Sequence, residues 1–144
     1  MSKSEADVLK DLHAVIKPCF WRRIENQAGA GDPDVHFVID GISGWLEGKY
    51  AREIPKNLLT PVFKSLNRGL DTEQENWLYD YCRQGGLAWV FARIGKDYIL
   101  VPGIRALDFN SMTLSQFDMY RVNLDMIRYN LIHPRTMGWS FDPK

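Results

Sequence analysis

Two strand-like segments joined by a short glycine-flanked turn constrain this chain more than any other feature. DVHFVID (34–40) puts Val35, Phe37 and Ile39 on one side and Asp34, His36 and Val38 on the other, the period of a half-buried strand. WLEGKYA (45–51) is a second strand, and Gly41 and Gly44 flank the turn between them. Such a connection predicts antiparallel pairing. Side chains alternate along a strand, so Glu47 and Lys49 share a face. Pairing then brings Asp34, at the start of the first strand, close to Glu47.

The flanking segments supply a scaffold. Residues 4–16 read as an amphipathic helix with Leu9, Leu12 and Ile16 on its apolar stripe, widened by Val8 and Val15 and stopped by Pro18. Glu5 falls on that stripe, four residues before Leu9. CFWRRIE (19–25) reads as a strand, and NQAGAGDP as turn chemistry, with Gly29, Gly31 and Pro33. Pro55 and Pro61 make residues 52–70 a long loop with one short helix. Residues 71–84 form a helix capped by Asp71 or Thr72, with Gln74 or Glu75 at the capping-box offset. Trp77, Leu78, Tyr81 and Cys82 are its buried face, and Gly85-Gly86 end it. LAWVFARI (87–94) is apolar enough for a buried central strand. Gly95-Lys96 turns the chain into DYILV (97–101), and Pro102-Gly103 breaks that strand. A last helix is expected from Leu114 to Asn130, with Leu114, Phe117, Leu124, Ile127 and Leu131 inward. The tail that follows holds Trp139 and Phe141 and has no periodicity.

A chain of 144 residues fits one domain with a real core, here 1–144, with its core at 4–101. No apolar run approaches the roughly 20 residues of a membrane span. The N-terminal segment carries Glu5, Asp7 and Asp11 and lacks the apolar stretch of a signal peptide; an intracellular setting is expected, with Cys19 and Cys82 reduced. Net charge is zero, from 18 basic and 18 acidic residues, which counts mildly against a nucleic-acid partner. The distribution differs: residues 49–68 hold Lys49, Arg52, Lys56, Lys64 and Arg68 against Glu53 alone. This stretch is a candidate phosphate-contacting segment, the bland reading being a solvated loop.

Asp34, Glu47 and Lys49 in that arrangement suit phosphodiester hydrolysis. Mg²⁺ prefers carboxylate and carbonyl oxygens together with water and phosphate. It lowers the pKa of a bound water and offsets developing charge, while a lysine orients or deprotonates the water. A lone PD is usually a turn and a lone ExK a solvated strand face, so the weight rests on the ordered combination. His36 shares the face of Asp34, where a packed histidine is more common than a ligand; His13 and His133 show no partner in sequence.

Gly31-Asp-Pro-Asp34, followed by Trp45-Leu-Glu-Gly-Lys49, resembles the signature of the PD-(D/E)xK nuclease superfamily. Within it the chain is closest in look to virus-type replication-repair nucleases and archaeal-type Holliday-junction resolvases. Residues 70–91 resemble the helix and strand that follow the site in the virus-type family, and the similarity covers roughly residues 4–101. The resemblance implies a restriction-endonuclease-like α/β fold in the order αβββαβ, a mixed sheet of about five strands flanked by helices, plus the C-terminal helix. It implies a site of Glu5, Asp34, Glu47, Lys49 and Gln74, with Mg²⁺, or Mn²⁺ in its place, held by Asp34, Glu47, the Gly48 carbonyl and Glu5. Taken alone, Glu5 is a first-turn acid favoured by the helix dipole and Gln74 a capping partner. Gly48 departs from the pattern, since an apolar residue usually stands there; the linker 51–70 is long, and the segment after 102 has no counterpart.

The implied activity is Mg²⁺-dependent cleavage of branched DNA, as in recombination or repair, by a homodimer whose interface the apolar C-terminal helix supplies. Small size fits a viral or microbial origin. Two other readings stand beside it. Gly48 and the neutral charge favour a non-catalytic DNA-binding or interaction module, and a restriction-type or DNA-end-processing nuclease would cut unbranched duplex.

Overall fold

The segments around 34–40 and 45–51 pair antiparallel, with a tighter turn and a longer second strand than the sequence suggested. In the computed structural model, which describes residues 4–24, 31–65 and 69–134, β1 (Phe20–Arg23), β2 (Val35–Ile39) and β3 (Ile42–Ala51) form a meander. Asp40 and Gly41 make the turn, with φ of 50° and 82°, the two positive values that a type I′ hairpin requires. Gly44 therefore lies inside β3, where a Cβ would fall 2.6 Å from Cζ of Phe37.

The chain crosses over from β3 to β4 (Ala88–Ile94), which runs parallel to it, through α2 (Val62–Ser65) and α3 (Thr72–Arg83). The Gly95 turn then returns it as β5 (Asp97–Pro102), antiparallel to β4. The mixed sheet has six strands in sequential order rather than five. Each face carries its own core layer. On one, Val8, Leu9, Leu12 and Ile16 of α1 (Glu5–Ile16) pack over Val35, Phe37, Leu46, Trp89 and Phe91. Val15, expected on that stripe, is exposed. On the other, Leu78 of α3 and Phe63 of α2 pack over Val90, Ala92 and Val101. Ala106 and Phe109 join them from a 3₁₀ segment, Gly103–Ser111, which sequence periodicity did not show.

The helix expected at 114–130 is not continuous. It divides into α4 (Leu114–Asp118), the short strand β6 (Arg121–Val122) and α5 (Ile127–Ile132). β6 pairs with β5 at Tyr98 and Ile99 and covers what would be an unpaired sheet edge. Asn123 Oδ1 accepts the Asp125 N–H at 2.9 Å, a local turn that competes with helix. One uninterrupted helix would put its apolar residues on a single stripe. Instead Leu114 and Phe117 join the α3-side core, while Leu124, Ile127 and Leu131 join the α1-side core. The chain crosses the sheet edge at β6 and serves both layers. Phe117 and Ile127 are fully buried, so these two offer nothing to a second copy, while Leu114 and Leu124 are half-buried.

Candidate active site

Register places the two carboxylates together. Val35 stands opposite Leu46 in the β2–β3 ladder, so Asp34, one step earlier, faces Glu47, one step later. The Gly48 N–H donates to Asp34 Oδ2 at 2.9 Å, tying the aspartate to the strand that carries the glutamate. The loop entering Asp34 lies against the first turn of α3. At Gly31, whose φ is +82°, a Cβ would sit 2.5 Å from the Glu73 carbonyl oxygen and 3.1 Å from the Gln74 nitrogen. Only a residue without a side chain allows that approach.

Gln74 serves as cap and as site residue at once. Asp71 is the N-cap of α3; its side chain accepts the Gln74 N–H at 2.8 Å, and Gln74 Oε1 accepts the Asp71 N–H at 3.0 Å. This box aims the remaining amide group, and Nε2 donates to Glu47 Oε2 at 3.0 Å. A flipped amide would set oxygen against carboxylate and NH₂ against N–H, so the network fixes its orientation.

Lys49 completes the group from the same strand face. Its Nζ lies 3.7 Å from Glu47 Oε2 and 3.9 Å from Glu5 Oε2. Glu5 is the first residue of α1, and that helix approaches β3 at Gly48. A Cβ on Gly48 would fall 2.8 Å from Leu9 Cγ and 3.3 Å from the Glu5 carbonyl oxygen. Leu9 thus fills the space an apolar side chain at position 48 would take, a compensation the sequence did not reveal.

Glu47 is 2% exposed. Burial pushes its carboxyl well above the usual range; repulsion from Asp34 and Glu5 and, for the protonated acid, a side-chain hydrogen bond to Asp34 add to this, and Lys49 opposes it. Its Oε1 is buried without a hydrogen-bond partner among the described residues. An orphaned carboxylate oxygen facing a second carboxylate suits a hard divalent cation, so the donor set fits Mg²⁺ or Mn²⁺. Among the described residues, no three His, Cys, Asp or Glu side chains form a cage of their own. Two carboxylates are a usual complement for Mg²⁺, the rest being water and phosphate oxygen.

Arg52 and Lys56 are exposed on the loop leaving β3, and Arg52 follows Lys49 by three residues, about 10 Å along a strand. Lys64 lies in α2 without a described side chain, and Arg68 is outside the described residues, as are Trp139 and Phe141. All three histidines stack on aromatic rings: His13 on Trp21, His36 on Trp45, and His133 on Tyr129.

A mixed sheet with α1 on one face and α3 on the other, Asp34 entering β2 and Glu47 within β3, is a restriction-endonuclease-like fold. No protein-family model matches the sequence, and no curated protein matches it. Among solved structures the chain is similar to Archaeoglobus fulgidus Hjc, a Holliday junction resolvase from an archaeal hyperthermophile. The TM-score is 0.58 at 16% identity, over 88% of this chain and 97% of that one; at such identity the likeness concerns the fold.

Proposed function

We propose that this protein is a Mg²⁺-dependent endodeoxyribonuclease selective for branched DNA, in the manner of a junction resolvase. The observation that carries the reading is the buried Glu47, with Oε2 held by Gln74 and Oε1 unpartnered, facing Asp34 beside Lys49. Leaving a carboxylate oxygen buried and unpaired costs about 1–3 kcal/mol or more, which a cation would offset. Asp34, Glu47 and the Gly48 carbonyl would hold the ion. When bound, it supplies Lewis acidity and lowers the pKa of a coordinated water.

The chain's own residues provide the remainder. Gln74 fixes the rotamer of Glu47, and the Gly48 N–H fixes Asp34. Lys49 presents its ammonium to the attacking water or to charge developing on the phosphate, and Glu5 holds that ammonium in place. Arg52, Lys56, Lys64 and Arg68 contact phosphates outside the reacting group. Selectivity for branched DNA rests on the resemblance together with the Hjc-like fold. Cutting two symmetry-related strands calls for a two-fold pair of sites, so a homodimer belongs to this reading, through a surface other than the buried C-terminal residues. No helix among the described residues is long and apolar enough to cross a membrane.

The departure at Gly48, which favoured a non-catalytic module, is met by the packing of Leu9. The test is a cleavage panel of four-way junction, flap, nicked duplex, linear duplex and single strand, with and without Mg²⁺. Preferential, Mg²⁺-dependent cutting of the junction, lost in Asp34→Asn with the fold intact, is the expected result. Unchanged cleavage by Asp34→Asn removes that residue from the mechanism. Preference for linear duplex identifies a restriction-type or end-processing enzyme, and binding without hydrolysis identifies a non-catalytic module.

A further inference from the structure

The loop between β3 and α2 holds the most exposed leucines of the described chain. Leu59 is 84% exposed and Leu58 62%, with Ile54 at 46% on the same loop. They sit in a defined turn. Asn57 Oδ1 accepts the Leu59 N–H at 2.9 Å and the Asn57 carbonyl accepts the Thr60 N–H at 3.0 Å. Pro55 and Pro61 restrict the backbone on either side. Both ends are anchored: Gly95 donates to the Ala51 carbonyl at 2.8 Å, and Val62 to the Met112 carbonyl at 3.1 Å. A turn tied at both ends thus holds two adjacent leucines out in solvent. Exposed Arg52, Glu53 and Lys56 stand before them, a net charge of +1.

Apolar side chains carried on a basic element are the means by which proteins wedge open a base step, the cations holding phosphates while the leucine replaces stacking. Three aliphatic side chains are far less than the ~800 Å² per partner of a standard protein interface, and a flanking arginine and lysine match a polyanion better than an apolar protein face. We propose that Leu58 and Leu59 form a wedge that enters the base stack of DNA whose backbone Arg52 and Lys56 hold. The loop leaves the strand that carries Lys49, so it belongs to the same crossover as the site. A step already unstacked, as at a branch point or nick, costs least to enter, which makes the wedge a source of preference for branched over continuous duplex. This inference rests on the nuclease reading and assigns part of its selectivity to named residues.

The experiment uses the full chain, with four-way junctions and matched linear duplexes carrying 2-aminopurine at or near the branch position. Binding is followed in EDTA, and cleavage in Mg²⁺. Wild type raises 2-aminopurine fluorescence on binding the junction. Leu58→Ser/Leu59→Ser keeps its thermal midpoint, since both side chains are exposed, but loses that rise and roughly tenfold of its junction cleavage, in line with the value of a stacking contact. Leu59→Met, which stays apolar, retains both. An unchanged fluorescence rise in the serine variant overturns the wedge. So does a wild type that binds and cuts the junction with no rise, an outcome that leaves the nuclease reading standing. Light scattering that shows wild-type dimers turned to monomers by the serine substitutions assigns the leucines to a second copy instead. A wild type that neither binds nor cuts DNA removes both readings.

Discussion

Replacing Gly48 with alanine tests how closely the site depends on helix packing. The added methyl would lie 2.8 Å from Leu9 Cγ and 2.9 Å from Leu9 Cδ1, with the Glu5 carbonyl oxygen at 3.3 Å. Carbon atoms in contact prefer about 3.5–4.0 Å, so the overlap approaches 1 Å. Leu9 is 1% exposed and has nowhere to swing, so α1 must lift from β3 or Leu9 must leave its rotamer. Overpacking of this kind costs about 1–3 kcal/mol, which for a chain of this length lowers Tm by about 3–12 °C. The assay is urea unfolding and thermal melting of Gly48→Ala, Leu9→Ala and the double variant. Leu9→Ala alone loses about 2–5 kcal/mol through the cavity it leaves. In the double variant the new methyl enters that cavity, so the two losses combine to less than their sum by more than about 0.5 kcal/mol. Because α1 also carries Glu5 to Lys49, Gly48→Ala lowers cleavage more than Leu9→Ala does. Full additivity, or an unchanged Tm in Gly48→Ala, would refute the reasoning.

Other outcomes follow from the same geometry. Glu47→Gln replaces a carboxyl whose ionisation burial and Asp34 oppose, so without divalent ion it raises Tm at neutral pH while cleavage is lost; a fall in Tm would contradict this. Because burial raises the Glu47 pKa in the folded state, its contribution is fully present below the unfolded value and is lost as pH rises through the folded one. The ion-free wild type should therefore gain stability relative to Glu47→Gln on acidification, measured by melting both proteins across a pH series. Gln74→Ala weakens divalent-ion binding or cleavage by about 10–100-fold and costs roughly 1 kcal/mol of helix capping, read by titration calorimetry and denaturation. Replacing Arg52, Lys56, Lys64 and Arg68 together by Gln weakens binding to all DNA sequences alike and flattens the salt dependence, each lost phosphate contact taking about 0.9 from the log–log slope; a wild-type slope would place the DNA path elsewhere.

The hairpin was legible because alternation and turn chemistry act locally: Val35, Phe37 and Ile39 had to share a face, and a short glycine-flanked turn had to bring Asp34 round to Glu47. The cap on α3 was legible as a choice, Asp71 or Thr72 with Gln74 or Glu75, and geometry selected Asp71 with Gln74. That Gln74 also reaches Glu47 followed from the resemblance, with support from its spacing, which lines it up with Trp77, Leu78 and Tyr81 on the inward face. What stayed hidden depends on contacts between distant residues. Gly48 looked like a loss of packing because nothing in the sequence says that Leu9 occupies its place. Gly31 read as a turn residue, although its contact with Glu73 and Gln74 lies more than one strand away. The apolar positions at 114, 117, 124, 127 and 131 mimic one helical stripe, and only the need to cover the edge of β5 explains why Arg121 and Val122 leave it.

That edge crossing has a consequence for how the molecule is made. Every residue of the carboxylate–lysine group lies before residue 75, so the reactive side chains are synthesised early. Their scaffold is finished late. The Trp89 indole N–H, in the central strand, finds its acceptor in the Leu131 carbonyl at 3.1 Å, and Arg128 Nε donates to the carbonyl of Ile16, the last residue of α1, at 3.0 Å. The last described helix, α5, thus fastens elements made at the beginning, and the α1-side core layer stays open until it emerges. A polypeptide stalled before residue 127 would carry the complete set of reactive groups over an α1-side core that lacks Ile127 and Leu131, so full stability would arrive only with α5.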